Sequence, residues 1–377
     1  MSNPAQLQAM GLESQSAGRF AEAESLYRQA LGAWELDQPN FAEQAALTRG
    51  LLGGLLTIKG RYAEAEPLLI RCLNDAEARA GPDSLEAGRT VLRLATLYRA
   101  WHRWSEAERF AQRAVRIFDR YPSEAASQGR ASTLVVATID ADLGRNREAE
   151  ALLSSLADPA DAGALRATSY NNRAAIALGQ QRLADAESLL RRAFELIETA
   201  AVGAPVRAAM WNNLAQLRRF QKNYLDAEKY YRQAIDLWKQ ALGERHPNVA
   251  KSYMNLAAFY HERGRESGAE DLYRRAAEIL ESTYSREDPL PLVARNELAE
   301  VLRAERRFSE SERLALATHS ALEKAVGSGD PRFLRALENY ARLLDDLKRR
   351  EEATTVRKRA KRLFSLNQPT LLPPQQP

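Results

Sequence analysis

The chain has one cysteine, Cys72, in 377 residues, so no disulfide can form within it, and a lone thiol fits a reducing compartment. Histidine is nearly as scarce, and His102, His246, His261 and His319 offer no pair at metal-ligand spacing on one helix face. Long apolar runs are missing. The longest, 51–58, falls far short of the roughly 20 residues a membrane span requires, and no charged start leads into a secretory core. The net charge of +4 is too small an excess to mark nucleic acid as a partner. No stretch alternates polar and apolar residues as a strand would. The glycines of GLLGG (50–54) are not followed by Lys-Ser/Thr, so they form no phosphate-binding loop. These absences lead us to expect a cytoplasmic protein, not an enzyme, with no cofactor, metal or membrane contact. Arginine outnumbers lysine about fivefold, a bias of GC-rich bacterial genomes.

What is present is repetition. An acidic–small–acidic phrase begins at Glu22 and returns at Glu64, Glu106, Glu148, Asp185, Asp226, Gly268, Glu310 and Glu352. The interval is 42 residues except for 37 and 41 around the fifth copy. Eleven residues before each phrase stands Gly or Ala, from Gly11 and Gly53 to Ala341. Small residues also fill the second position of the phrase and most positions eight residues past its start, the column that holds Cys72. Small side chains at fixed intervals mark close approach between helices. Apolar residues between them follow three- and four-residue spacing, as in MWNNLAQLRRF (210–220). Gly60, Gly144 and Gly264 separate two helices within a unit, while Asp288-Pro289 and Asp330-Pro331 read as N-cap and first helical residue. Each unit is therefore a helical hairpin that must stack on its neighbours to bury its apolar face.

The column pattern, with Trp211, Tyr224 and Tyr231 between the small positions, resembles the tetratricopeptide repeat. The wording of 211–265 is similar to the 42-residue variety of kinesin light chains and their bacterial relatives. This resemblance implies an all-α fold: an α-solenoid, a right-handed superhelix of about nine hairpins, whose first helices line a concave groove. One array is expected over 1–365, with a shortened linker near 156–165 and a degenerate last hairpin. A Pro- and Gln-rich tail, 366–377, is expected to be disordered.

Groove-facing positions should lie 17, 14, 13, 10, 7 and 6 residues before each phrase. They hold a row of asparagines: Asn171, Asn172, Asn212, Asn213, Asn255 and Asn296, with Asn339 further on. An asparagine amide both donates and accepts, which matches peptide backbone. The resemblance implies that asparagine in this column holds ligand backbone; bracing of adjacent hairpins is the other reading. Arg219 and Lys251 flank the row, and Arg89, Arg93 and Arg99 cluster earlier. A basic centre suits an acidic peptide or a terminal carboxylate, whereas the acidic residues from Glu297 to Asp346 interleave with arginines that suit internal ion pairs.

The chain is thus read as a non-enzymatic interaction scaffold for a protein or peptide partner, with its oligomeric state open. Two other roles fit the same sequence. One is a regulatory or sensor subunit that controls an ATPase or protease, and the other is a self-assembling structural module.

Overall fold

The computed structural model describes residues 3–16, 19–36, 38–158, 162–200, 202–284, 288–328 and 330–366, and the tail expected to be disordered lies outside them but for its first residue. The described residues contain eighteen helices and no strand. The first three hairpins are α1 (Pro4–Ser16) with α2 (Phe20–Glu35), α3 (Gln38–Ile58) with α4 (Tyr62–Ala80), and α5 (Leu85–Ala100) with α6 (Trp104–Phe118). Then come α7 (Ala126–Asp142) with α8 (Asn146–Ser155), α9 (Gly163–Gly179) with α10 (Leu183–Thr199), and α11 (Ala204–Phe220) with α12 (Tyr224–Leu242). The last three are α13 (Pro247–Glu262) with α14 (Glu266–Thr283), α15 (Pro289–Ala304) with α16 (Phe308–Val326), and α17 (Pro331–Asp346) with α18 (Arg350–Leu366). Two compact units result, one ending at His246 and carrying α1–α12, the other starting at Pro247 and carrying α13–α18.

The short interval in the fourth hairpin is absorbed by a helix: α8 has 10 residues where its counterparts have 15 to 19. Hairpins start as their sequences ask. Asp330 accepts a hydrogen bond from the Arg332 amide at 2.8 Å, and Pro331 follows it in the first turn. Asp288 holds the equivalent N-cap position without a side-chain cap bond. The turn between the two helices needs a left-handed residue. Gly60, Gly144 and Gly264 supply it, but His102, Gln181, Lys222, Arg306 and Lys348 occupy the same column with φ between 58° and 65°. A side chain there costs about 1–2 kcal/mol, which the packed helices on either side override.

The small columns form the core. Ala95, Ala137, Ala174, Ala215, Ala257 and Ala341 are wholly buried in the first helices, and Ala23, Ala65, Ala107, Ala149, Ala186, Ala227, Ala269 and Ala353 in the second. Gly53 shows why size matters: a Cβ there would lie 2.7 Å from Leu69 of α4. Around these residues the larger side chains interlock, as where Ala174, Leu178, Leu190 and Leu217 join α9, α10 and α11.

In each unit, every first helix packs on its own second helix, and within the unit each second helix packs on the next first helix. Consecutive first helices also touch (α3 on α5, α5 on α7, α7 on α9, α9 on α11, and α13 on α15 on α17), whereas consecutive second helices do not come as close. A layer whose members crowd while the other layer splays is the inner layer of a curved array. The first helices therefore form the inner face of each unit. In the first unit the chain returns to itself: the His246 Nε2 lies 2.5 Å from the carbonyl oxygen of Ile58, at the end of α3, and His246 is buried.

Candidate functional site

The inner face of the first unit carries a cavity of about 450 Å³ between α1, α3, α5 and α7. From α3 come Leu51, Gly54, Thr57 and Ile58, and from α5 come Arg89, Leu92, Arg93 and Thr96. Gln15 of α1 and Gln128 of α7 complete it. All but Gln128 stand at the offsets expected to face a groove. Leu12, Leu47 and Ile58, on the same columns, are exposed large apolar residues.

Arg93 sets the electrostatics. Its guanidinium lies against Gly50, where a Cβ would come 3.1 Å from Nη1 and 3.2 Å from the Cys72 sulfur. Desolvation pushes its pKa below the usual guanidinium range, and the nearby Arg89 charge pushes the same way, although Cys72 and Tyr27 oppose it. Among the described residues, no carboxylate pairs with Arg93 or with Arg89. Arg49, on the helix below, is the contrast: it is 1% exposed and pairs with both Glu35, at 2.9 Å, and Asp75. Cys72 occupies its small column, buried, with its pKa raised by desolvation. It is a packing residue that happens to floor the Arg93 site.

The asparagine row divides between the units. In the first, Asn171 and Asn213 are 4% and 9% exposed, and the Asn213 amide donates to Asn171 Oδ1 at 2.9 Å. This bond ties α9 to α11. Asn172 and Asn212 lie beside them, half-buried. Arg219 is half-buried as well, its guanidinium 5.0 Å from the Phe220 ring centre. In the second unit, Lys251 and Asn255 are half-buried on α13, and Asn296 is buried on α15 with its amide donating to Glu297.

Charges on the inner face of the second unit are internally matched. Glu300, 5% exposed, receives Arg303 and Arg342, each at 2.9 Å, and Arg303 reaches on to Asp346. Glu297 pairs with Arg335, and Asp345 with Arg357. The expected ion pairs are present there, whereas in the first unit Arg93 and Arg89 have no carboxylate partner among the described residues.

The acidic phrase also acquires a role. The residue at the second-helix N-cap is mostly arginine; Arg61, Arg103, Arg182, Arg307 and Arg349 each bond forward to their own phrase and backward to the phrase of the preceding hairpin, while Arg145 bonds backward and to Asp140. Arg61 reaches Glu64 at 2.6 Å and Glu24 at 2.7 Å. Arg103 reaches Glu106 and Glu66, both at 2.6 Å. Arg145 holds Glu108, Arg182 holds Glu150, Arg307 holds Glu270 and Arg349 holds Glu312. The first acid anchors the arginine and the second joins neighbours. Where Asn223 replaces the arginine, Arg218 takes over by bonding Glu187 at 3.0 Å. Among the described residues, no group of three His, Cys, Asp or Glu side chains could hold a metal ion, and no helix is long and apolar enough to cross a membrane.

An array of helical hairpins with small residues at each crossing defines the class, and comparison with known proteins gives the family. Tetratricopeptide repeat profiles match residues 43–120 and 206–282, and a second such profile matches 166–201. The chain belongs to the tetratricopeptide-repeat family. No curated protein matches it. Among solved structures it is similar to a Rap protein complexed with Competence and Sporulation Factor, at 14% identity and TM-score 0.64, over 96% of this chain and 98% of that one. It is similar also to the apo quorum sensor NprR from B. thuringiensis, at 15% identity and TM-score 0.57, over 96% and 98%. A putative kinesin light chain from Podosopora anserina, with TPR-like repeats, is 22% identical over 54% of this chain and 97% of its own, at TM-score 0.45.

Proposed function

We propose that this protein is a non-enzymatic, cytoplasmic scaffold that holds an extended segment of another polypeptide along the inner face of its first helices. The observation that carries this reading is the cavity on that face, where exposed aliphatic side chains adjoin cations without counter-ions. Surface of this kind is costly to leave bare and fits an acidic, partly apolar ligand. The inner face is preformed, so little ordering cost falls on the protein when it binds.

Within this reading, Asn172 and Asn212 bond the ligand backbone in the first unit, and Arg219 contacts its acidic side chains. Asn255, Lys251 and Asn296 do the same for a ligand on the second unit. Asn171 and Asn213 take part as a pair. Their mutual bond uses one amide donor and one carbonyl acceptor, which leaves the Asn171 amide and the Asn213 carbonyl to meet a peptide carbonyl and a peptide N–H. Support by analogy comes from the Rap protein, which shares the fold and was solved in complex with Competence and Sporulation Factor.

The test is selection from a random peptide library displayed with free C termini, followed by calorimetry on the selected peptides. Substituting Asn172 and Asn212 with alanine should weaken binding about tenfold or more, at about 1 kcal/mol per lost hydrogen bond. Substituting Arg232 and Lys229 on the outer helix α12 should leave it unchanged. Equal effects from both faces would refute the reading.

A further inference from the structure

The last described helix, α18, does not repeat its predecessors. We infer that its end face is a docking site for an acidic helical segment of another protein, which seats where a next hairpin's first helix would lie. This surface belongs to a second helix at the end of the second unit and is independent of the inner-face reading.

Interior second helices fasten the next hairpin with acids at two columns. Two residues past the start of the phrase stands a glutamate in all eight hairpins before the last, from Glu24 to Glu312. Arginines of the following hairpin reach it, as Arg61 reaches Glu24 at 2.7 Å and Arg307 reaches Glu270 at 2.8 Å. Three turns further on, a second acid does the same. Glu35 binds Arg49 at 2.9 Å, Glu281 binds Arg295 at 2.7 Å, and Glu323 binds Arg359 at 2.6 Å. Near these acids, rings seat the incoming helix. The Phe194 ring centre lies 4.8 Å from that of Trp211 on α11, His319 lies 5.4 Å from Tyr340 on α17, and Trp34 lies 5.0 Å from Phe41 on α3.

In α18 each of these columns changes. Thr354 and Ser365 replace the two acids, and their hydroxyls turn back to donate to the carbonyls of Arg350 and Lys361, at 2.8 and 3.0 Å. Lys361 stands in the column of Phe194 and His319, and Phe364 in that of Trp34, where it is 58% exposed. Lys358, Lys361 and Arg362 are all exposed. Arg357 and Arg359 pair with Asp345 and Glu323, but no carboxylate pairs with those three cations among the described residues. The acids of α18, Glu351 and Glu352, are confined to its first turn, and residues 367–377 hold no aspartate or glutamate.

Thr354, Lys358, Lys361 and Ser365 follow one another at steps of four, three and four residues, which sets them in one row about 16 Å long. A helix laid along that row meets both lysines with acids three or four residues apart, while its apolar side chains cover Phe364. Charge decides among the occupants. A second copy stacked end to end would bring α1 with Arg19, whose column elsewhere seeks the acid that Thr354 has replaced, so cation would face cation. A bilayer surface asks for a stripe of large apolar residues beside the cations. On α18, Phe364 is the one such residue left exposed among the described residues.

Two fluorescein-labelled peptides of about 20 residues, long enough to hold a helix in water, share one leucine-alanine stripe and differ in its flanks, glutamate in one and lysine in the other. Their dissociation constants for the full-length protein are read by anisotropy. The glutamate peptide should bind about tenfold or more tighter than the lysine peptide. Lys358→Glu with Lys361→Glu, both at exposed positions, should invert that preference, and Phe364→Ser should weaken the glutamate peptide several-fold. Lys229→Glu with Arg232→Glu on α12 alters the net charge equally and should leave the preference unchanged. No binding of the glutamate peptide, or a preference that the α18 reversal leaves in place, overturns the site. Phosphatidylserine vesicles and duplex DNA are measured beside the peptides. Binding of either that the α18 reversal abolishes, with the peptides unaffected, overturns the acidic helix in favour of a lipid surface or a nucleic acid.

Discussion

At the scale of single residues, this chain is governed by where a methyl group fits. Gly53 and Gly32 are both helical glycines, yet their surroundings are opposite. A Cβ at Gly53 would press within 2.7 Å of Leu69, which is fully buried, whereas nothing lies within 4 Å of the same atom at Gly32. Alanine is the better helix former by about 1 kcal/mol. Gly32→Ala should therefore raise stability by about 0.5–1 kcal/mol. In Gly53→Ala the same gain is outweighed by overpacking of about 1–3 kcal/mol, and the thermal midpoint should fall. The small columns were readable in the sequence because close approach excludes every larger residue. The left-handed turn position was readable only where glycine marks it. Lys222 and Gln181 adopt the same backbone, but their penalty of about 1–2 kcal/mol is small enough for tertiary packing to override, so the sequence carries no sign of it. The groove columns were legible as well, but the cavity was not. Gly54, Thr57 and Leu92 are ordinary residues that become a site only when α1, α3, α5 and α7 meet.

At the scale of elements, the arginine at the N-cap and the acid 37 residues earlier, or 32 for Arg182, fasten one hairpin to the next. Glu24 is the most enclosed of these acids in the first unit. Burial alone would raise its pKa, but hydrogen bonds from Lys59, Arg28 and Arg61 outweigh that and bring it down to about 2. A carboxyl whose folded pKa is depressed contributes stability in full above its unfolded value, near pH 4.5, and loses it as pH falls through the folded value. Glu24→Gln should thus cost roughly 1–3 kcal/mol at neutral pH, a range that allows for the partial exposure of its partners. The gap between mutant and wild type should close between about pH 4.5 and pH 2. Melting curves across that range check it, and a gap independent of pH would remove Glu24 from the ladder's energetics. In the sequence these acids read as ordinary first-turn charges favoured by the helix dipole. Their second role depends on a partner one hairpin away, which periodicity alone does not reveal.

At the scale of the whole molecule, the 42-residue period does not change where the structure divides, at His246 and Pro247. That is why the sequence reads as one array. Repeat arrays are stabilised by nearest-neighbour contacts, so two compact units need not unfold together. Their aromatic content allows a direct check: Trp34, Trp101, Trp104, Trp211 and Trp238 all precede the division. In a denaturant titration, tryptophan fluorescence should report the first unit and far-ultraviolet circular dichroism both. The two transitions should not coincide. Superimposable curves would show that the units melt as one.

The contact between His246 and Ile58 joins residues 188 apart in sequence. The linker after α12 thereby settles onto the end of α3, within the first unit. In an array held together by neighbour-to-neighbour packing, a bond of this span couples hairpins that are otherwise far apart along the chain.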